Sequence, residues 1–298
     1  MNPVIPIYGA RTIKRDRRTA DRIRMLDSQI EAELRADHPQ SVRHVFYRMT
    51  DPRLPEPVEK SDRGYRHVQN RCVLLRRAGR IPYGWITDAT RRGYFTATYS
   101  SGAEFVRHMA GYYRADLWAD ADDRCEVWVE SRSIAGVIED TCRDLAVSLY
   151  PSGGFASMSF IYDTAQNVNA EDDGRPLRVF YIGDFDPAGV LIDRKIEQGL
   201  REHLNADVEM HFERIGITRE QVDEYDLPTK PRKATDKRAP EVEFTVEAEA
   251  MPAHLLRQLL RDRIEELLPY DALRIAKIAE ESEREGLRLI ADAMGRAA

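Results

Sequence analysis

The stretch Leu177–Gly189, LRVFYIGDFDPAG, decides the fold. Val179, Phe180, Tyr181 and Ile182 form a continuous apolar run, the pattern of a strand buried on both faces. The run stops abruptly at Gly183-Asp184-Phe185-Asp186. Side chains alternate along a strand with period two, so Asp184 and Asp186 are expected to point the same way. Pro187 ends the strand, and Gly189 opens the helical spacing Val190, Ile192, Ile196, Leu200, Leu204. Ligands of open α/β sheets bind outside the carboxyl ends of the strands. Two carboxylates at that edge suit a hard divalent cation, which takes oxygen ligands; a bare pair of acids also occurs in solvated turns.

The neighbouring sequence supplies a third acid. Glu126–Val129 reads as a strand that ends at Glu130, and Ile134, Val137, Ile138, Cys142 and Leu145 mark a helix. Val147–Tyr150 reads as a short strand before Gly153-Gly154, with helices over about 156–168 and 188–204 and a strand over 208–215. One helix per strand implies a mostly parallel sheet covered on both faces, which brings Glu130 to the edge that carries Asp184 and Asp186. Three carboxylates there could hold Mg²⁺, or use two for the metal and one for proton transfer. Beyond the sheet, Asp226–Pro240 is proline-rich and extended, Glu241–Glu247 alternates like a strand, and helices over about 252–267 and 270–296 close the chain.

The first 118 residues have a different character. Residues 1–18 are irregular and basic (Arg11, Lys14, Arg15, Arg17, Arg18) and read as an arm. Helices follow from Thr19 as N-cap (Ile23, Leu26, Ile30, Leu34), over about 40–50, and over about 62–78 with Tyr65, Val68, Cys72 and Leu75 on one face. The turn-rich Gly79–Ile86 reads as a β-wing. Three helices and a wing are the order of a winged helix-turn-helix, whose third helix enters a DNA groove. Arg66, Asn70, Arg76 and Arg77 line the polar side of that helix, with Arg80 beyond it. Arg91 and Arg92, beside Asp88, are candidates for backbone phosphate contact. A further helix over about 102–118 bridges to the sheet. The expected organisation is a basic winged-helix domain over 1–118 and an α/β domain with C-terminal helices over 119–298.

Charge follows the same division. Residues 1–118 carry 22 Lys+Arg and 13 Asp+Glu, a net of +9, whereas the whole chain has a net charge of −6. A basic half beside an acidic half is the electrostatic footprint of a polyanion-binding unit next to a metal-binding one. The three cysteines form no CxxC motif, which excludes a zinc framework and reads as reduced thiols in a cytoplasmic protein. No apolar run approaches membrane-spanning length, and no signal-peptide pattern is seen. No Walker or GxGxxG motif and no metal-ligand spacing among the seven histidines is present.

The Glu130…Asp184-Phe185-Asp186 arrangement resembles the Toprim fold of topoisomerases, primases and related nucleases. The full string GDFDPAG is similar to the A subunit of topoisomerase VI and the related meiotic double-strand-break proteins. Downstream, Arg214–Thr218, Tyr225–Pro228, Thr235–Arg238 and Glu247–Pro252 resemble segments of that family. Upstream, Val42-Arg43-His44-Val45-Phe46-Tyr47 resembles its helix ending in a catalytic tyrosine. The resemblance spans roughly 40–268. It implies a homodimeric, Mg²⁺-dependent transesterase of the DNA topoisomerase (isomerase) class that binds double-stranded DNA and forms a 5′-phosphotyrosyl link. Tyr47 of one protomer would meet Glu130, Asp184 and Asp186 of the other. A separate ATPase (B-type) subunit would be needed for strand passage, because this chain lacks its signature. The chain departs from the pattern in having Phe46-Tyr47 where two tyrosines are common, and Ser131-Arg132 where a lysine is common after the glutamate.

Tyr47 can be read independently of that resemblance. At about 100° per residue, the apolar arc of Val42, Val45, Phe46 and Met49 centres near 350°, and Tyr47 falls near 140°, with Arg43 one turn before it. This places the phenol on an exposed face beside a guanidinium, which favours phenolate and supports charge on a phosphodiester under attack. Two other readings remain open: a Toprim nuclease that hydrolyses DNA without a tyrosyl intermediate, and a DNA-binding relative without activity.

Overall fold

The computed structural model describes residues 19–87, 96–171, 173–233 and 235–297. The basic arm and Asp88, Arg91 and Arg92 lie outside the described residues. Helices begin where hydroxyl side chains can satisfy first-turn amides: Thr19, Ser41, Ser61, Ser101, Ser131, Ser157 and Thr218 each accept such an N–H. They start α1 (Ala20–Ala36), α2 (Val42–Met49), α3 (Asp62–Arg77), α4 (Gly102–Ala110), α5 (Arg132–Asp144), α6 (Met158–Ala170) and, after α7 (Gly189–His203), α8 (Arg219–Glu224). The remaining helices are α9 (Ala253–Glu265) and α10 (Ala272–Ala297).

The central element is a parallel sheet in the order β2-β1-β3-β4, with β1 at Arg124–Val129, β2 at Ser148–Pro151, β3 at Leu177–Ile182 and β4 at Met210–Gly216. The fold is therefore mixed α/β, as the alternation of strands and helices implies. Register places Trp128 beside Tyr181 and Val129 beside Ile182, so Glu130 and Gly183 leave the sheet together. Alternation then divides the core. Val127, Val129, Phe180 and Ile182 face α5 and α9, in one continuous core with Leu26, Ile30 and Val45 of the N-terminal helices. Trp128, Leu177, Val179 and Tyr181 face α6 and α7. Cys72 and Cys142 are buried, as their positions on apolar helix faces imply.

Three expected elements differ. Gly79–Ile86 forms no strand pair of a wing: Tyr83–Trp85 is a single 3-10 turn, and Ile86 makes one parallel bridge to Gln40. Trp85 stacks on His38 at 4.8 Å, so its ring is used internally. The helix expected over 102–118 stops at Ala110, with Gly111 at its C-cap. The alternating 241–247 stretch pairs only at β6 (Phe244–Thr245), with β5 (Lys230–Pro231). Its next residue, Val246, instead pairs with Phe185 through two 2.9 Å backbone bonds. Among the described residues no helix is long and apolar enough to cross a membrane.

Two outcomes follow from packing. Ile138 is fully buried in the sheet–helix core, so Ile138→Ala is expected to lower unfolding free energy in urea by about 2–5 kcal/mol. Ile278→Ala, at an exposed position of α10, should stay within about 0.5 kcal/mol. Glu126 in β1 is buried and accepts a 3.1 Å bond from Trp128 Nε1; burial pushes its carboxyl up to about 7. The unfolded carboxyl titrates near 4.5, so this group's contribution to stability is full below that pH and declines as pH rises towards 7. Glu126→Gln should remove that slope from melting temperatures taken across the window.

Candidate active site

At the carboxyl edge of the sheet, the chain from Gly183 to Gly189 turns from β3 into α7. Arg214 of β4 holds this turn. Its Nη1 donates to Gly183 O (3.0 Å), Asp184 O (3.2 Å) and Ile217 O (3.1 Å), its Nη2 to Gly189 O (2.9 Å), and its Nε to the Asp193 carboxylate (2.6 Å). The Asp184 backbone N–H donates to Glu130 Oε2 at 3.0 Å, so the sheet does bring Glu130 to the acid pair. Asp184 Oδ1 accepts from Ala248 N at 2.8 Å. Asp186 Oδ1 accepts from Ala188 N (2.8 Å) and Gly189 N (2.7 Å) and so caps the start of α7. The two acids, separated by Phe185, each engage a different backbone segment.

The electrostatics are those of an anionic cluster in which Arg214 opposes, without cancelling, the rise at Glu130. Burial raises the Glu130 carboxyl above its usual range, and the neighbouring Asp186 and Glu249 push the same way. Asp184 is raised well above its usual value by burial, then by Glu130 and Glu249. Glu249 is itself buried, and Ser133 Oγ donates to it. Sequence reasoning missed this fourth carboxylate; its signal is the pair of acids in Glu247-Ala248-Glu249, which at alternate positions reads as a solvated strand.

The cluster's donor chemistry fits a hard cation: carboxylates that repel one another are stabilised when such an ion enters between them. Mg²⁺ is commonly held by one or two carboxylates with the rest of its shell water. As placed, however, no group of three or more His, Cys, Asp or Glu side chains that could hold a metal occurs among the described residues. Backbone amides occupy one oxygen each of Glu130, Asp184 and Asp186 and leave the other oxygen of each carboxylate outside those bonds.

Tyr47 differs from expectation. Its side chain is 3% exposed, not solvent-facing. The helical wheel finds only the face turned to neighbouring helices. The opposite face of α2 is covered by residues 247–251, where Arg48 Nη2 donates to Ala250 O at 2.5 Å. The phenol hydrogen-bonds Glu247, and burial followed by that carboxylate pushes its pKa well above the ordinary value; this disfavours phenolate. Arg43, expected as support, pairs with Glu247. Lys230 Nζ lies 3.3 Å from the same carboxylate, and Lys60 Nζ lies 5.3 Å from the Tyr47 ring centre. Burial and then Lys230 push the Lys60 ammonium down to about 8. These cations surround a cavity of about 80 Å³.

A larger groove of about 570 Å³ joins the helical unit to the sheet edge. Its walls are Arg43, Tyr65, Gln69 and Arg76 on one side and Glu130, Ser131, Arg132 and Ser133 on the other. Of the residues expected to meet DNA, Arg66, Asn70 and Arg77 are exposed on α3. Arg76 is engaged internally, donating to Tyr83 O and Ile86 O, and Arg80 pairs with Glu31 and Asp27.

No protein-family model matches this chain, and no curated protein matches it significantly. Fold and site together define a class: a mixed α/β protein whose parallel sheet carries a cluster of mutually repelling carboxylates at its C-terminal edge, beside an arginine-lined groove.

Because Asp184 resists ionisation in the fold, metal-free stability should fall as pH rises from about 4, the ordinary carboxyl range, through the raised folded value. Asp184→Asn keeps the acceptor for Ala248 and removes the charge. Its melting temperature without divalent ions should exceed wild type at pH 8 and converge with it near pH 4. Equal temperatures at both pH values would contradict the electrostatic account.

Proposed function

We propose that the chain is a DNA-cleaving transesterase resembling the topoisomerase VI A subunit, with the helical unit as a winged helix-turn-helix and the sheet as a Toprim-type domain. The observation that carries this reading is the groove in which arginines and Glu130 share one wall system, so a polyanionic backbone meets the acid edge. In this reading Glu130, Asp184 and Asp186 would have to draw together to hold Mg²⁺, whose charge would offset that on the non-bridging phosphate oxygens. Arg43 and Arg132 bind and orient the phosphodiester. Tyr47 Oη forms the bond to phosphorus and the P–O3′ bond breaks, leaving a 5′-phosphotyrosyl end and a 3′-oxyanion that takes a proton from water to become the 3′-hydroxyl.

The Tyr47 proton passes to an acceptor, and Glu247 already occupies that position. DNA entry must first draw Arg43 and Lys230 from Glu247 towards phosphate and open the cover over the phenol. A homodimer, in which Tyr47 of one protomer serves the acids of the other, and a separate ATPase subunit belong to the same proposal.

The burial of Tyr47 favours a second reading, hydrolysis of DNA by a Toprim nuclease with no tyrosyl intermediate. Incubation with supercoiled DNA and Mg²⁺ followed by denaturation separates the two. Covalent protein on 5′ ends, absent in Tyr47→Phe, is the outcome expected of the transesterase. Cleavage that survives Tyr47→Phe but is lost in Asp184→Ala would replace it with the nuclease. Binding without cleavage under any divalent ion would reject both for the isolated chain.

A further inference from the structure

Helix α10 has two apolar faces, and the fold of the described residues covers one of them. On the covered side Ala276, Glu280 and Ala291 are buried, Arg284 donates to Tyr113 O at 2.9 Å, and Asp292 pairs with Arg107 of α4. On the other side Ile275, Ile278, Leu289 and Ile290 are 54% to 62% exposed. Ile275, Ala279, Ser282, Gly286, Leu289 and Ala293 recur there at alternating steps of four and three, the spacing of a coiled-coil seam. A Cβ on Gly286 would meet nothing within 4 Å, so packing inside this chain does not call for a glycine. A glycine in mid-helix weakens the helix, but it admits close approach of a second backbone.

The order of sizes along the stripe suits a second copy of this chain. Reversed against itself about a two-fold axis at Arg284, the stripe sets Ile275 against Ala293, Ala279 against Leu289 and Ser282 against Gly286. Each layer then puts a larger side chain on a smaller one. The flanking charges follow the same reversal: Arg274 comes beside Asp292 of the second copy, and Glu281 beside Arg288 of the second copy. Arg296 of the second copy comes opposite Ala272, next to a cavity of about 720 Å³ lined by Glu265, Tyr270 and Asp271. Glu283 and Glu285, either side of the axis, are the like charges that meet, and they temper the contact. A parallel pairing would set large on large and leave a gap at Ser282 and Gly286. A lipid surface suits the face less well, because α10 carries five cations and five acids and has no net attraction to anionic headgroups.

We propose that this face of α10 is a self-association surface, occupied by α10 of a second copy in antiparallel register. The surface is one for the homodimer of the functional reading. Measuring it needs neither DNA nor a divalent ion, so the two readings fail separately.

Sedimentation equilibrium of the full-length chain alone should show reversible dimerisation. Leu289→Glu should weaken it about tenfold or more, with circular dichroism and melting at high dilution unchanged. Gly286→Glu should weaken it too while melting at high dilution rises, because glutamate is the better helix former. After oxidation, Ala279→Cys combined with Leu289→Cys should link two copies, and Ala279→Cys alone should not. A single-chain mass at every concentration overturns the inference, whether or not the chain then sediments with phosphatidylglycerol vesicles. So does a dimer that both glutamate variants leave intact, a double cysteine variant that forms no link, or a link formed by Ala279→Cys alone.

Discussion

The site depends on one guanidinium. A chain that leaves a buried strand and re-enters a helix within a few residues turns its carbonyls inwards, and each one left unpaired costs about 1–3 kcal/mol. Arg214 serves three carbonyls of the turn, those of Gly183 (which also accepts the Ile217 amide), Asp184 and Gly189, together with that of Ile217 after β4, while Asp193 balances its charge. Only a planar group with five donors in a fixed fork can serve so many acceptors at once; an ammonium could not. With the turn fixed, the Asp184 amide faces Glu130 and the Asp186 carboxylate faces the start of α7. The positions of the acids are therefore a consequence of backbone satisfaction in the turn.

Two charge clusters of opposite imbalance sit on either side of one short segment, residues 247–249. On the acid side, burial raises Glu130 and Asp184; Asp186 and Glu249 push Glu130 the same way, and Glu130 and Glu249 do so for Asp184. On the tyrosine side, a single carboxylate, Glu247, is approached by Arg43, Lys230 and the Tyr47 hydroxyl, with Lys60 beside them. Glu247 is correspondingly held below its usual range: burial opposes this, but Arg43 and then Lys230 and Tyr47 outweigh it. One cluster has a deficit of cations and the other a deficit of anions. A metal phosphodiester presents both in one ligand, which is the physical content of the functional proposal.

Much of this was legible in the sequence, for identifiable reasons. The apolar run Val179–Ile182 is long enough to specify a doubly buried strand, and its register with β1 delivers Glu130 to the edge. The helices of the N-terminal unit follow from hydroxyl caps and apolar spacing. What escaped is what tertiary contact decides. A helical wheel gives the direction of one core face and is silent on whether a second body covers the other, so Tyr47 read as exposed. Acids at alternate positions in Glu247-Ala248-Glu249 look like a solvated strand until the Phe185–Val246 pairing draws them inwards. The glycine-rich Gly79–Ile86 specifies a turn, but turn composition alone does not distinguish a hairpin from the 3-10 turn that forms.

That pairing between Phe185 and Val246 also orders events in time. Ala248 supplies the amide that engages Asp184, and Glu247 supplies the acceptor that holds Tyr47. A chain emerging from the ribosome would carry Tyr47, Glu130 and Asp184 long before residues 246–249 exist to bind them together. Contacts so distant in sequence form late, after local helices and hairpins. Assembly of the site thus waits on the last part of the chain: a polypeptide truncated before Val246 has the residues of the Arg214-held turn and the Asp184–Glu130 contact but lacks the Ala248 amide and the Glu247 and Glu249 carboxylates.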